Sequence, residues 1–184
     1  MEVPEPADRE SVVGITVPVP EPFAAAIRDI RRDAGDPLAA RIAPHITLLP
    51  PTAVPTDRLD SIKEHLAAVA RAHAPIDLRL SGASTFLPIS AVAYLKVIVG
   101  GDALRSLQQD IRDASGPLSA PLRFPFHPHV TLAHEVGQAA LDAAMRAGAA
   151  LDAAFTAGQV LLHSLRRDDC ALLARIPLGG ASPA

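Results

Sequence analysis

Two stretches of the sequence share one pattern of residue types: proline, histidine, an aliphatic residue, threonine and leucine. They are residues 44–48 and residues 128–132. Successive side chains of a β-strand alternate between its two faces, so His45 shares a face with Thr47, and His129 shares a face with Thr131. One His-x-Thr sequence occurs often by chance, whereas two copies with matching flanks, 84 positions apart, indicate a functional pair.

Two histidines and two hydroxyls on facing surfaces suit metal-free cleavage of a phosphodiester. An imidazole pKa near 6.5 allows one ring to be neutral and the other protonated at neutral pH, which predicts a general base and a general acid in His45 and His129. The hydroxyls of Thr47 and Thr131 can donate hydrogen bonds to phosphoryl oxygens and stabilise the charge of the transition state. A cyclic phosphate fits this chemistry best, because water must lose a proton and the leaving alkoxide must gain one.

Composition excludes several other classes of protein. The 184 residues carry a formal charge of −3, which argues against a polybasic surface for long nucleic acid but leaves nucleotides and short nucleic-acid ends as substrates. A single cysteine, Cys170, excludes an internal disulfide and a multi-cysteine metal site. No apolar run reaches the length of a membrane span, and the acidic stretch Met1–Glu10 does not have the pattern of a signal peptide. We therefore expect a cytoplasmic protein with no membrane partner.

The elements that position the two motifs are themselves predicted to repeat. Each half of the chain has the order strand, helix, loop, short strand, helix, strand, strand, and the opening strands lie near Ser11–Val17 and Val92–Val99. The first motif strand, Ile46–Leu49, should end at the prolines that follow it, and the second is predicted over Val130–Ala133. This order predicts an internal duplication, which would bring the two His/Thr faces together across a cleft.

The pattern of elements favours an α+β fold with two lobes. Alternating helices and strands are also compatible with a doubly wound parallel sheet, but two short strands close each half of the chain and favour antiparallel hairpins. For the first half these are Ile76–Leu80 and Ala83–Leu87, and for the second Phe155–Ser164 and Cys170–Ile176. We expect one domain over residues 11–178, with lobes at about 11–88 and 89–178 that are free to exchange strands, and flexible tails at 1–10 and 179–184.

The paired sequences His-Ile-Thr-Leu and His-Val-Thr-Leu resemble the signatures of the two-histidine phosphoesterase superfamily, and within it the bacterial 2′-5′ RNA ligase and cyclic phosphodiesterase-like branch. The resemblance covers about Val12 to Ile176. It implies a duplicated bilobal fold, with two mainly antiparallel sheets flanking a central cleft and helices outside. It also implies metal-independent hydrolysis of cyclic or 2′-5′ phosphodiesters, with weak reversible ligation in some members and no cofactor.

By the match of motifs, the resemblance carries over His45 and His129 as catalytic residues and Thr47 and Thr131 as phosphate contacts. The chain departs from the pattern at one place. Several ligase-type members carry an arginine just after the second motif, where this sequence has Ala133-His134. The departure argues against RNA ligation and against large RNA substrates.

Four further residues are candidates for substrate binding. Arg41 and Arg123 lie in the loops before the two motifs and can reach a phosphate. Phe126, like its neighbour Phe124, lies close to the second motif, where an aromatic ring can stack on a base or pack beneath the loop. His127 is expected to line the edge of the pocket.

A metal site built from His127, His129, His134 and His45 is the alternative use of these histidines. Catalytic zinc needs three protein ligands, and strand alternation should turn His134 away from His129. We therefore expect no metal. The other histidines, His65, His73 and His163, are interpreted as surface or cap residues, and Cys170 as a buried, inert thiol.

The sequence thus predicts a phosphoric diester hydrolase that acts as a monomer on a small nucleotide or an RNA end. Two alternatives remain open: a non-catalytic module that binds nucleotides or RNA ends, and a weak 2′-5′ RNA ligase. A further rival enzyme hypothesis is hydrolysis of another small cyclic phosphate, from nucleotide or ADP-ribose metabolism.

Overall fold

The computed structural model of the chain describes residues 4–119, 122, 124–166 and 169–180. Among these residues are eight strands and four α-helices, which confirms the α+β class. In chain order they are β1 Glu10–Pro18, α1 Phe23–Asp33, β2 His45–Pro55, α2 Leu59–Ala72, β3 Ile76–Thr85, β4 Val92–Val99, α3 Gly101–Ile111, β5 His129–His134, α4 Gln138–Gly148, β6 Asp152–Ala157, β7 Gln159–Arg166 and β8 Asp169–Pro177. Of the predicted tails, residues 1–3 and 181–184 lie outside the described part, as does Arg123.

The eight strands form a single antiparallel sheet in the order β6-β3-β4-β5-β2-β1-β7-β8. This finding does not confirm the expected pair of sheets. The two groups of four strands meet at the centre, where β2 and β5 pair through Ile46 and Val130. That short junction joins the halves into one sheet and sets the two motif strands side by side.

Each half of the chain contributes strands to both halves of the sheet. β3 belongs to the first half of the sequence but pairs with β4 and β6. β7 belongs to the second half and pairs with β1. Each half of the sheet is therefore built from strands that come from distant parts of the sequence.

Two strands are longer than their sequence predicts, because the proline or glycine residues expected to end them lie in bulges within the strands. β2 continues through Pro50 and Pro51, which together oppose the single residue Gly14 of β1. A bulge tolerates proline because the ladder is already interrupted there. β3 likewise continues through a bulge at Gly82, where φ is +73°, so the hairpin predicted from two short strands is one strand. Conversely, the predicted strand Phe155–Ser164 is divided into β6 and β7.

The helices cover the face of the sheet opposite to the motif histidines. The aliphatic residues of the two motifs belong to this core and are at most 1% exposed: Ile46, Leu48, Val130 and Leu132. Helices α1 and α4 pack behind β5, and α3 packs behind β2. Burial of each such side chain contributes about 1.5–3 kcal/mol. The buried aliphatic residues of the two motifs thus hold the motif strands against the helices.

No helix in the described part of the chain is long and apolar enough to cross a membrane.

Candidate active site

The register at the centre of the sheet brings the four motif side chains to one face. Ile46 pairs with Val130 in antiparallel orientation. Counting one residue outward from that pair places His45 opposite Thr131, and the other direction places Thr47 opposite His129. Each histidine therefore faces the threonine of the other motif.

All four side chains line one cavity of about 370 Å³, which we call the central cavity. Its walls also include Arg31, Phe86, Phe124 and His134. The structure therefore brings together His45, Thr47, His129 and Thr131, as the duplication predicts.

The two histidine rings are held by the same local hydrogen bond. His45 Nδ1 lies 2.7 Å from the carbonyl oxygen of Ala43, and His129 Nδ1 lies 2.7 Å from that of His127. A proline stands between carbonyl and histidine in both motifs and restricts the backbone there. Because Nδ1–H donates to the carbonyl, the neutral ring keeps Nε2 as its free basic nitrogen.

Both motif histidines have a lowered pKa. Burial lowers the pKa of His45 to about 4, against the opposing effect of its hydrogen bond to Ala43. Burial also lowers the pKa of His129, and the charge of His127 acts in the same direction. Both rings are therefore neutral at pH 7 in the free protein. The prediction of one neutral and one protonated ring is thus not met before a ligand binds.

A buried ion pair supports the loop that anchors His45. Arg31 of α1 is 4% exposed and donates from Nε to Asp36 Oδ2 at 2.9 Å and from Nη1 to the carbonyl oxygen of Ile42 at 2.6 Å. Ile42 immediately precedes Ala43, whose carbonyl accepts the hydrogen bond from His45. The charge of Arg31 also contributes to the lowered pKa of His45.

An aromatic wall stands beside His129. Phe86 and Tyr94 stack with ring centroids 4.2 Å apart, and the His129 ring meets them edge-on at 4.9 Å and 5.3 Å. The His127 ring contacts the same pair at 5.4 Å and 5.3 Å. His129 is thus oriented by aromatic packing, whereas His45 is oriented by a loop tied to an ion pair.

The profile of the 2′-5′ RNA ligase superfamily matches residues 19–169, which is most of the chain. The chain belongs to this superfamily. The resemblance of the two motifs to two-histidine phosphoesterases is thereby confirmed.

Curated relatives match over part of their length. A protein of Bacillus licheniformis named "Putative phosphoesterase" is 32% identical over 101 residues, covering 55% of this chain and 58% of the relative. A Staphylococcus haemolyticus protein with the same name is 35% identical over 96 residues, covering 51% and 54%. The chain thus spans just over half the length of these relatives.

Solved structures show the same fold over nearly the whole chain. E. coli LigT complexed with NADP+ superposes with a TM-score of 0.65 and 21% identity, covering 92% of this chain and 99% of LigT. The complex of LigT with 3′-AMP gives a TM-score of 0.60 and 17% identity, covering 92% and 98%.

The position after the second motif differs from the sequence-based expectation. Strand alternation predicted that His134 faces away from His129, and this is wrong. Ala93 pairs with Ala133 but Tyr94 pairs with Thr131, so Leu132 is an extra residue in β5. The bulge shifts the alternation by one and sets His134 in the wall of the central cavity.

Metal ligation finds no support in the geometry. Within the described residues, no group of three or more His, Cys, Asp or Glu side chains is close enough to hold a metal ion.

The predicted substrate-binding residues have different locations. Arg41 lines a second cavity, on the side of β1 and β7. The carbonyl of His127 anchors His129, and its ring packs on the aromatic wall. Phe126 packs against the hydrophobic core, whereas Phe124, 55% exposed, lines the central cavity.

His163 was interpreted as a surface or cap residue, and this is wrong. It lies on β7, its Nε2 forms a hydrogen bond of 3.2 Å with Thr16 Oγ1, and its ring lines the second cavity. Cys170, predicted to be buried, is exposed because β8 is the edge strand of the sheet. Its Sγ lies 3.7 Å from His163 Nδ1.

Sequence reasoning missed several wall residues, of which only one left a clear signal. Arg31 continues the buried stripe of α1 formed by Ala24 and Ile27. An arginine on the apolar face of a helix indicates a buried partner, here Asp36. Phe86 directly follows β3 and Tyr94 lies on β4. Both rings contact His129 only because the strands pair in the fold, so the sequence near them gives no comparable signal.

Proposed function

We propose that this protein is a phosphodiesterase that hydrolyses a cyclic 2′,3′-type or a 2′-5′ phosphodiester of a nucleotide or an RNA end. The observation that carries the proposal is the Ile46–Val130 register, which sets each motif histidine opposite the threonine of the other motif in one cavity. Family membership and the names of the Bacillus and Staphylococcus relatives support phosphoester chemistry. LigT complexes with 3′-AMP and NADP+ support a nucleotide as the substrate.

In the proposed mechanism the phosphate lies between the two motif strands. Thr47 and Thr131 donate hydrogen bonds to its non-bridging oxygens. One histidine accepts a proton at Nε2 from the attacking water as the new P–O bond forms. The other donates a proton from Nε2 to the leaving oxygen as the old P–O bond breaks. Exchange of one proton between the two rings through solvent restores the starting state.

Because the pKa values of both motif histidines are lowered, the bound substrate is expected to help protonate the ring that acts as the acid. Because both rings are neutral in the free protein at pH 7, one of them must gain a proton before it can act as the acid. The negative charge of a bound phosphodiester raises the pKa of the nearby ring and favours that protonation. Substrate binding and proton uptake are therefore expected to be linked.

The proposal is tested with purified protein, 2′,3′-cyclic AMP and excess EDTA. We expect ring opening to a single monophosphate in EDTA, because the mechanism needs no metal. His45→Ala and His129→Ala should each lower kcat/KM by about a hundredfold or more, the usual contribution of a general acid or base. His73→Ala is the matched control, since His73 pairs with Asp110 and lines neither cavity. Full activity in either motif variant contradicts the assignment.

The same experiment separates the alternatives. Tight binding of nucleotides with no turnover in either direction would indicate a nucleotide- or RNA-end-binding module. Joining of RNA ends would indicate a ligase, which the histidine at position 134 disfavours. We further propose that the protein acts as a monomer, because both motifs of the cavity come from one chain. We also propose that it acts in the cytoplasm.

A further inference from the structure

Lys96 is one of the two lysines of the chain, and in the sheet it is the direct partner of His129 across β4 and β5. We propose that Lys96 binds the 5′-phosphate of the nucleotide whose 2′,3′-cyclic phosphate is cleaved. The preferred substrate is then the end of an RNA chain, or a nucleotide that carries a 5′-phosphate, rather than a simple 2′,3′-cyclic nucleotide. This inference rests on the proposed function and names the substrate class of the same active site.

The register places the side chain of Lys96 on the face of the sheet that carries the motif histidines. Directly paired residues of two antiparallel strands project to the same face. The preceding residue, Leu95, is 0% exposed and belongs to the core, whereas Lys96 is exposed. Lys96 therefore lies on the open face, one strand outward from His129 and just beyond the wall of the central cavity.

The distance from the reaction centre suits the phosphate next to the scissile one. Neighbouring strands lie about 4.8 Å apart, so a phosphate held between β2 and β5 is about 7 Å from the axis of β4 in the plane of the sheet. That distance is comparable to the length of one ribose with its flanking oxygens, which separate successive phosphates of a nucleic-acid strand. The flexible stem of lysine lets its ammonium group adjust to the ligand.

The bulge in β3 leaves room for the Lys96 side chain. Gly82 of this bulge has a φ of +73°, and an added Cβ there would lie 2.9 Å from Lys96 Cε and 3.2 Å from Lys96 Nζ. The end of the lysine side chain thus lies against the backbone of β3, where a larger residue than glycine would displace it. The ammonium group is held on the open face beside the motif strand.

No carboxylate neutralises Lys96 within the part of the chain that the structure describes. The other lysine, Lys63, pairs with Asp60 at 3.0 Å, whereas Lys96 forms no ion pair with a described residue. Asp152, at the start of the nearby strand β6, accepts hydrogen bonds from Arg79 at 2.8 Å and 2.5 Å. Because this carboxylate is already paired with an arginine, the charge of Lys96 is available to an anionic ligand.

The corresponding position on the other side of the centre is uncharged. The outer strand partner of His45 is Pro18 of β1, as Lys96 is the outer partner of His129. Proline offers neither a charge nor a side-chain hydrogen-bond donor. A substrate with two phosphates is therefore oriented in one direction, with the cyclic phosphate between the motif strands and the 5′-phosphate above β4.

The test uses two substrates that differ by one phosphate group: 2′,3′-cyclic AMP and the same nucleotide with a 5′-phosphate. The native protein is expected to have the higher kcat/KM for the 5′-phosphorylated substrate, through a lower KM. Lys96→Gln should reduce the ratio of the two kcat/KM values about threefold, as the loss of an exposed ion pair typically does. Lys96→Arg, which keeps the positive charge, should retain most of the ratio.

Lys63→Gln is the matched control, because it removes the other lysine of the chain from α2, outside both cavities. This variant should keep the ratio of the native protein.

The salt dependence of binding gives a readout that a purely structural effect of the substitution would not change. Binding of the 5′-phosphorylated substrate is measured by calorimetry in the His129→Asn variant, which keeps the diester intact, over a range of KCl concentrations. Adding Lys96→Gln to this variant should make the dependence of log Kd on log salt concentration shallower, because one contact with a phosphate is lost. Adding Lys63→Gln should leave the slope as it is.

Three outcomes overturn the inference: a native protein with no preference for the 5′-phosphate, a preference that Lys96→Gln leaves unchanged, and equal losses in Lys96→Gln and Lys63→Gln. The binding measurement does not depend on turnover. Binding that weakens in Lys96→Gln, in a protein that hydrolyses neither substrate, would keep the phosphate site and contradict the proposed reaction. Hydrolysis of both substrates with a ratio that does not depend on Lys96 would contradict the phosphate site alone.

Discussion

His45 and His129 are oriented by hydrogen bonds to the carbonyl groups two residues earlier in the chain. This local arrangement fixes the tautomer and leaves Nε2 for proton transfer. Burial of the rings in the cavity simultaneously disfavours their protonated forms. A protein that uses two such neutral rings as an acid–base pair must obtain the acidic proton when its anionic substrate binds.

Arg31 acts on the pKa of His45 through its charge, and on the orientation of the His45 ring through the neighbouring loop. Its positive charge disfavours protonated His45, so Arg31→Met should raise the pKa of His45 above about 4. Loss of the hydrogen bond to Ile42 should also loosen the Ala43 carbonyl and lower kcat. The pKa is measured by NMR titration of the imidazole, and kcat with 2′,3′-cyclic AMP.

Two further variants complete this test. Arg31→Met combined with Asp36→Asn avoids leaving a buried carboxylate without its partner, so the pKa can be measured in a folded protein. Arg32→Met is the control on the same helix, because Arg32 is exposed and pairs with Asp29. An unaltered His45 pKa in the double variant would remove Arg31 from this positioning role.

The sequence predicts the four motif residues well because alternation along a short strand is a local property. Thr47 and Thr131 follow from their histidines by a spacing of two. His163 and Tyr94 could not be predicted in this way, because long-range strand pairing brings His163 to the second cavity from β7 and Tyr94 to the ring of His129 from β4. The position of His134 was predicted wrongly for the opposite reason, because the alternation of side chains along a strand is interrupted at the bulge in β5.

At the scale of the elements, bulges and close packing decide where the motif strands lie. A sequence shows the prolines of β2 and the glycine of β3 as terminators, and only the neighbouring strand reveals that each lies in a bulge. The β5 strand depends in addition on α4, which packs directly behind it.

Gly148, at the end of α4, packs closely against β5. A Cβ at this position would clash with the Leu132 side chain, one residue from the motif threonine. Gly148→Ala should therefore lower the free energy of unfolding by about 1–3 kcal/mol, as overpacking in a core does. Urea denaturation measures the loss. Gly158→Ala is the control, because an added Cβ there meets nothing within 4 Å; equal stability of the two variants would contradict the packing argument.

At the scale of the whole molecule, one sheet carries both motifs on adjacent central strands. The antiparallel preference was visible in the sequence and is confirmed. The merger into one sheet was not visible, because it depends on the pairing of Ile46 with Val130, residues far apart in the chain. The same central position surrounds the motif histidines with protein, which has a consequence for stability.

The protein should lose stability as pH falls from about 7 to about 4. Four histidines have lowered pKa values, with burial as the largest cause in each: His45, His129, His134 and His163. In the unfolded chain they bind protons near pH 6.5, whereas the folded protein resists protonation, so their contribution is present above that pH and is lost as pH falls through the lower folded values. For His45, with a folded pKa of about 4, the loss is at most about 3 kcal/mol.

Urea denaturation across this pH range measures the effect. The midpoint should fall toward acid pH in the native protein, and the fall should be smaller in His45→Gln, which cannot take up the proton. His73→Gln serves as the control, because His73 Nε2 lies 2.7 Å from Asp110 Oδ2 and the residue lines neither cavity. A midpoint that stays constant between about pH 7 and about pH 4, or that falls equally in native protein and His45→Gln, would show that protonation of His45 is not resisted by the fold. That result would also contradict the expectation that a histidine becomes protonated only when substrate binds, because this expectation rests on the same burial of the His45 ring.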